Sequence, residues 1–438
     1  MKPKHVLLIL PVLFIVCSCA EQPENDAQQQ KPVVTDNPPQ QQVGIQPEPV
    51  IWKEGPWHAA LTIDTNGGAL EIPFNFNLIK ESPAKLKMII TNAQEKIEVS
   101  QIETKEDTIT ITLPVFDSLI VAQLQGEVMT GKWIKNGNVD RALPFKAEPG
   151  INERFARPNE PPASDITGKW QVTMNPDSPR ASSIIGIFNQ KENHLTGTFL
   201  TPTGDYRFQE GKVTGNKLML SSFDGAHSFL FLADISDEGN LENGVFNSGS
   251  ARSSAWRAVR NETFTLPDPE TLTFLKEGYD KLEFTFPDLT GNNVSLSDAK
   301  YQNKVVIVQI FGSWCPNCMD ETRYLASLYD KYHDQGLEII ALAYEQKQND
   351  EAIAAISRFK KDLNANYDFL LAGPADKTAA ARTLPMLNRI LSYPTAIYID
   401  RQGKIKKIYT GFSGPGTGEK YHQFAAETEK FILQLLEN

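Results

Sequence analysis

The feature that most constrains this 438-residue chain is an apolar run, Val305-Val306-Ile307-Val308-Gln309-Ile310-Phe311, that leads directly into Gly312-Ser313-Trp314-Cys315-Pro316-Asn317-Cys318. Seven mostly β-branched residues read as a buried strand. Cys318, Thr322, Leu325, Tyr329 and Tyr332 then recur at helical spacing, and Gly336 is placed to stop that helix. A cysteine pair set where a strand hands over to a helix has the geometry of a reversible two-electron redox couple.

In such a couple Cys315 is the nucleophile at the helix start. Unpaired backbone N–H groups and the helix dipole stabilise a thiolate there, and cysteines so placed have pKa values of roughly 3.5 to 7.5 against about 8.5 when free. Pro316 suits the first turn because its missing N–H costs nothing at that position. Cys318, one turn on and facing inward, is expected to resolve the mixed disulfide, and Trp314 is expected to shield the sulfurs. The competing readings are half a zinc site and a structural disulfide. Zinc needs further ligands, yet the remaining cysteines are Cys17 and Cys19 near the N-terminus, and His333 and His422 stand alone. A bridge across two residues constrains little chain entropy. Redox chemistry is the reading kept, with no metal and no cofactor called for.

Lys2 and Lys4 precede the apolar run Val6 to Val16, which is too short for a comfortable membrane span and reads as a secretory signal. Val16-Cys17-Ser18-Cys19 resembles the bacterial lipobox. Cys19 has the better upstream residues, so residues 1–18 are expected to be cleaved and Cys19 lipidated. Residues 19–50 are rich in Gln, Pro and Asn and too poor in large apolar side chains to offset the entropy of ordering, so they read as a disordered tether. Losing the two lysines leaves 41 basic against 54 acidic residues, a net charge of −13. An acidic chain without basic clusters is a poor candidate for nucleic acid. The expected location is the cell envelope, facing the periplasm, on a membrane that the sequence does not specify.

Removing signal and tether leaves a length that predicts two or three domains. Residues 51–150 and 163–262 hold short alternating segments, such as Thr108-Ile109-Thr110-Ile111-Thr112-Leu113 and Ser228-Phe229-Leu230-Phe231-Leu232, punctuated by Gly, Asn, Asp and Pro. That spacing predicts two antiparallel, barrel-like β units. Thr130-Gly131-Lys132-Trp133 recurs as Thr167-Gly168-Lys169-Trp170, and the turn at Gly126 to Gly131 echoes that at Gly239 to Gly244, which suggests a duplication. The Gly-x-Trp of residues 168–170 is similar to the opening strand of lipocalin-like barrels, and a tryptophan packed at a barrel end explains it without a ligand. Residues 263–280 read as a linker.

From 281 to 438 the pattern becomes α/β. Strands are expected at 305–311, 337–344 and after Pro394, and helices at 351–363, at 377–390 bent by Pro385, and at 419–437. With Phe286-Pro287-Asp288-Leu289, Leu296-Ser297-Asp298, Gly312-Ser313-Trp314-Cys315-Pro316-Asn317-Cys318 and Tyr393-Pro394-Thr395 in that order, this part resembles the TlpA/ResA-like thiol-disulfide oxidoreductases of the thioredoxin superfamily.

The resemblance implies a thioredoxin-like fold and a protein-disulfide reductase fed by a transmembrane thiol donor, with apocytochromes among the candidate substrates. It implies a cis proline at Pro394, presenting the backbone of Tyr393 to an incoming substrate, and a carboxylate at Glu345 that would shuttle the proton of Cys318. A peroxiredoxin would place Thr and Pro where Gly312 and Val308 stand. An alternative of a different class is a ligand- or partner-binding envelope lipoprotein whose redox part only senses.

Overall fold

The alternation read at Thr108-Ile109-Thr110-Ile111-Thr112 becomes a strand in which Ile109 and Ile111 are buried and the threonines are half-exposed. Side chains with a period of two populate both faces of a sheet, and the apolar face needs cover. In the computed structural model, which describes residues 52–65, 67–82, 85–249 and 252–437, that cover comes from curling the sheets on themselves. Cys19, the 1–18 signal and the 19–50 tether lie outside the described residues.

The first sheet has nine antiparallel strands, and its first and last, Gly55–Thr65 and Leu143–Pro149, pair with each other. Its two edges, Glu95–Val99 and Gln101–Lys105, are consecutive strands separated by Ser100. The second sheet closes fully: Gly168–Met174 pairs with Arg252–Arg260, and Ser182–Lys191 pairs on its other side with His194–Thr201. Its interior is filled by stacked rings, Phe199 on Phe231 at 4.0 Å and Phe231 on Phe246 at 4.3 Å, with the edge of Trp256 at 5.7 Å from Phe199. The two barrels share a core. Phe223 and Leu230 of the second pack among the buried residues of the first, with Phe223 stacked on Phe74 at 4.4 Å and edge-on to Trp133 at 5.2 Å.

The two barrels share features at a fixed offset, and one of the two sequence echoes does not fall on it. Trp133 lies in the penultimate strand of the first barrel and Trp170 in the opening strand of the second. The true counterpart of Gly168-Lys169-Trp170 is Gly55-Pro56-Trp57, 113 residues earlier. Both glycines have φ beyond +100°, and both tryptophans donate Nε1–H to the carbonyl four residues back, Lys53 at 2.9 Å and Ile166 at 2.8 Å. The turns at Gly126 and Gly239 keep the same offset and open the penultimate strands Val128–Lys135 and Leu241–Ser248. Gly131 and Gly244 are equivalent too, each with a neighbouring strand's backbone where a Cβ would stand.

The redox region is built on a five-stranded sheet: β1 (Val305–Phe311), β2 (Leu337–Glu345), β3 (Asp368–Pro374), β4 (Thr395–Ile399) and β5 (Ile405–Thr410). The spatial order is β3-β2-β1-β4-β5, with β1, β2 and β3 parallel and β4 and β5 antiparallel. Every residue of β1 and β2 is buried, as expected of central strands covered on both faces. Helix α1 (Pro316–Tyr332) follows β1, and Gly336, at φ +103°, ends the turn after it. The other helices are α2 (Asn349–Asp362), α3 (Lys377–Thr383) and α4 (Glu419–Glu437).

The helix expected over 377–390 is therefore shorter, because Pro385 ends it rather than bending it. Leu384 stands at φ −126°, ψ 68°, as the ring of a following proline disfavours helical backbone in the residue before it. Residues 384–394 are thereby free to form the loop that carries Tyr393 and Pro394. No helix among the described residues is long and apolar enough to cross a membrane.

Barrels and redox region belong to one compact unit. Val115 and Phe116 of the first barrel and Ala226 of the second lie in the redox region's own core. The segment after the second barrel is pinned down as well, with Lys276 N–H donating to the Met386 carbonyl at 2.8 Å and Thr410 Oγ to Thr273 Oγ at 2.9 Å.

Candidate functional site

Cys315 occupies the N-cap of α1 with extended backbone (φ −106°, ψ 114°), and its Sγ accepts the N–H of Cys318 at 3.3 Å. One of the orphan donors of the helix start is thus aimed at the sulfur. Pro316 is the first helical residue. The Sγ of Cys315 also faces the Tyr393 carbonyl at 3.4 Å, across the cis Tyr393-Pro394 bond. Both cysteines are buried, Cys315 at 7% exposure and Cys318 at 0%, so Cys315 is the one nearer the surface. Burial, together with the adjacent Cys315 and the carboxylate of Glu321, pushes the Cys318 thiol well above its ordinary range. Trp314 donates Nε1–H to the Tyr344 carbonyl at 3.0 Å and lies edge-on to the Tyr393 ring at 5.6 Å, which walls one side of the sulfur.

Two buried carboxylates stand near this pair, and they do different things. Glu345, 3% exposed, accepts from Ser313 N–H and Ser313 Oγ–H, both at 2.8 Å, and burial raises its pKa to about 7. It therefore holds the loop before the cysteines, and its hydrogen bonds go to Ser313 rather than to a sulfur. Glu321, 2% exposed, follows Cys318 by one turn of α1 and adds to the rise of that thiol's pKa. It accepts from Gln309 Nε2 at 2.8 Å, and burial raises its pKa to about 8. The sequence carried a signal for it: Glu321 follows Cys318 by three residues, which puts an acid on the helix face that Cys318, Thr322 and Leu325 mark as buried.

A pH test separates the folded from the unfolded state of Glu321. Its pKa rises from 4.5 to about 8 on folding, so between these values the unfolded chain ionises while the folded one keeps the proton. The contribution of this side chain to stability is fully present below about pH 4.5 and is lost as pH rises through about 8. Urea midpoints of the wild type should therefore fall relative to Glu321→Gln between pH 4.5 and 8.5. A pH-independent difference would mean that the folded carboxylate is ionised throughout.

Asn317 points away from the sulfurs toward the second barrel, where a Cβ on Gly204 would overlap its amide. Further along α1, Arg207 of that barrel clamps Asp320 bidentately at 2.9 and 3.2 Å. The same guanidinium pairs with Glu95 of the first barrel and, at 3.2 Å, with Asp224 of the second. Burial opposes the charge of Arg207, but Asp320, Glu95, Asp224 and Asp205 more than reverse that and raise its pKa. Burial holds Glu95, Asp205 and Asp320 above the ordinary carboxylate range. No sequence pattern announced this junction, whose members come from three separate parts of the chain.

Residues 276–423 match the Redoxin family. Over 137 residues the chain is 30% identical to the thiol-disulfide oxidoreductase ResA of Bacillus subtilis, an alignment that covers 31% of this chain and 69% of that protein. It is 32% identical over 134 residues to a ResA of Bacillus cereus, with the same coverage of 31% and 69%. The Redoxin match leaves both barrels outside it.

Proposed function

Because this chain belongs to the ResA-like thiol-disulfide oxidoreductases of the thioredoxin superfamily, we propose that Cys315 and Cys318 are its redox-active pair and that it reduces protein disulfides in the bacterial cell envelope. The observation that carries this reading is the asymmetry of the two thiols. Cys315 is the less buried of the two and caps a helix start, while Cys318 is fully buried with its proton held.

Each turnover begins when the Cys315 thiolate attacks one sulfur of a substrate disulfide. The substrate S–S bond breaks, the departing sulfur takes a proton, and a mixed disulfide joins Cys315 to the substrate. Cys318 then gives its proton to a nearby base and attacks the Cys315 sulfur, releasing the second substrate thiol. Two electrons and two protons have passed to the substrate, and the pair is left as a disulfide. We assign the proton of Cys318 to Glu321 in its ionised form, a minority below its pKa of about 8, rather than to Glu345; its place one turn on from Cys318 in α1 and its contribution to raising that thiol's pKa support the choice. Glu345 and Ser313 act as positioning residues for the loop that carries Trp314. Trp314 walls one side of Cys315, and Tyr393-Pro394 offers the backbone against which a substrate strand would pair.

A disulfide left on the enzyme requires a thiol donor, for which a transmembrane carrier is the proposed class. Apocytochromes are candidate substrates. Lipidation of Cys19 would hold the protein at the membrane, facing the periplasm.

The direction of electron flow is tested by titrating the pair in dithiol buffers of graded potential, with thiol alkylation as the readout. A reductase should come to equilibrium near roughly −300 mV, whereas a value near about −120 mV would make the protein an oxidant. A pair that never exchanges would overturn the assignment of both cysteines.

A further inference from the structure

A substrate disulfide must reach Cys315 alongside the Tyr393 carbonyl, and the second barrel already lies across that approach. The hairpin linking His194–Thr201 to Gly204–Asp205 has Pro202 and Thr203 at its tip, and Thr203 rests on the redox region. The Thr203 carbonyl accepts Ser392 Oγ–H at 3.1 Å, one residue before Tyr393. Gly411, at φ +84°, lies so close beneath the tip that a Cβ there would sit 2.5 Å from the Thr203 carbonyl carbon. Gly204, at φ +153°, rests on Asn317 between the two cysteines, and the Asp205 carboxylate accepts the Gly414 N–H at 2.6 Å. One hairpin thus touches the helix start, the proline loop and the segment after β5. What stays open is a mostly polar cleft of about 300 Å³ bordered by Thr201, Tyr206, Trp314, Asn317, Lys377 and Tyr393.

These contacts discriminate by size. The tip is bonded to Ser392, the residue before Tyr393, and lines the same cleft as Tyr393, so a protein strand approaching along Tyr393 meets Thr203 and Gly204. The cleft that remains reaches Trp314, Asn317 and Tyr393, the neighbours of Cys315, and has room for a low-molecular-weight disulfide. Resting on the reading of Cys315 and Cys318 as the redox pair, we propose that residues 201–205 are the specificity-determining element of the site: seated, they admit small disulfides and exclude protein ones, which react only when the hairpin has lifted. Residues 201–205 themselves are held by a few hydrogen bonds and glycine contacts, and lifting them leaves the Arg207–Asp320 clamp two residues on in place.

The test uses the full reduced chain, with insulin as the protein disulfide and hydroxyethyl disulfide as the small one. Gly204→Val with Asp205→Ala puts a branched side chain against Asn317 and removes the bond to Gly414. An element seated nine-tenths of the time or more lowers any reaction that needs the open state by its open fraction, so the ratio of insulin to small-disulfide rates should rise about tenfold or more in the variant. A ratio unchanged within about twofold overturns the proposal. A second readout needs no variant. In the wild type, the labelling rate of Cys315 by a polyethylene-glycol maleimide, relative to N-ethylmaleimide, should fall about tenfold below the same ratio for glutathione, and equal ratios would again overturn it. If the wild type reacts with neither disulfide, the redox reading itself fails, whatever the hairpin does.

Discussion

Cys315→Ser is expected to lose insulin reduction by roughly a thousandfold or more while remaining folded, in line with the size of losses on removing an enzyme's nucleophile. No other sulfur among the described residues can replace it, because Cys318 is 0% exposed and its thiol is held protonated by burial. The fold should not notice the change. Serine is nearly isosteric and is a preferred N-cap, so its hydroxyl inherits the Cys318 N–H that the sulfur now accepts. A circular dichroism melt within a few degrees of the wild type, together with activity at the level of free thiol in the buffer, is the expected pair of results. Substantial turnover by the variant would remove Cys315 from the chemistry.

The second large effect is structural. Arg207→Ala should cost about 3–5 kcal/mol of unfolding free energy, the range for breaking a buried ion pair by deleting one partner. Arg207 is the shared counter-charge of Glu95, Asp224 and Asp320, which come from the first barrel, the second barrel and helix α1. Deleting it leaves those carboxylates buried together with the guanidinium gone. Urea denaturation followed by tryptophan fluorescence reads the loss, since most of the tryptophans lie in the barrels and Trp314 lies in the redox region. A loss below about 1 kcal/mol, the level of an exposed ion pair, would show that the junction contributes nothing to holding the three parts together.

The redox region was legible almost throughout, because its signals are local. Gln309 and the six apolar residues around it specify a buried strand. Cys315-Pro316 specifies a helix start, and Gly336 specifies its end. The barrels were legible as β and as a repeat, but their alignment was not, since Thr-Gly-Lys-Trp is the longer match while Gly-x-Trp is the structural one. Glu345 was legible as a carboxylate at a strand end, and the structure buries it on Ser313; Glu321 carried only the weaker signal of helical spacing from Cys318. Pro385 was read as a bend where it is a stop.

By itself the sequence determined the chemistry this protein can perform and the elements that present it, because a dithiol at a helix start, the period of two in the barrels and the spacing of α1 are properties of residues within a few positions of one another. Only the tertiary structure decided what surrounds that chemistry. Thr203 meets Ser392 and Gly411, and Arg207 meets Glu95 and Asp320, each across more than a hundred intervening residues. Such contacts are selected by how three folded parts fit and by the cost of leaving a buried charge or carbonyl unpaired, and neither leaves a periodic trace in the chain.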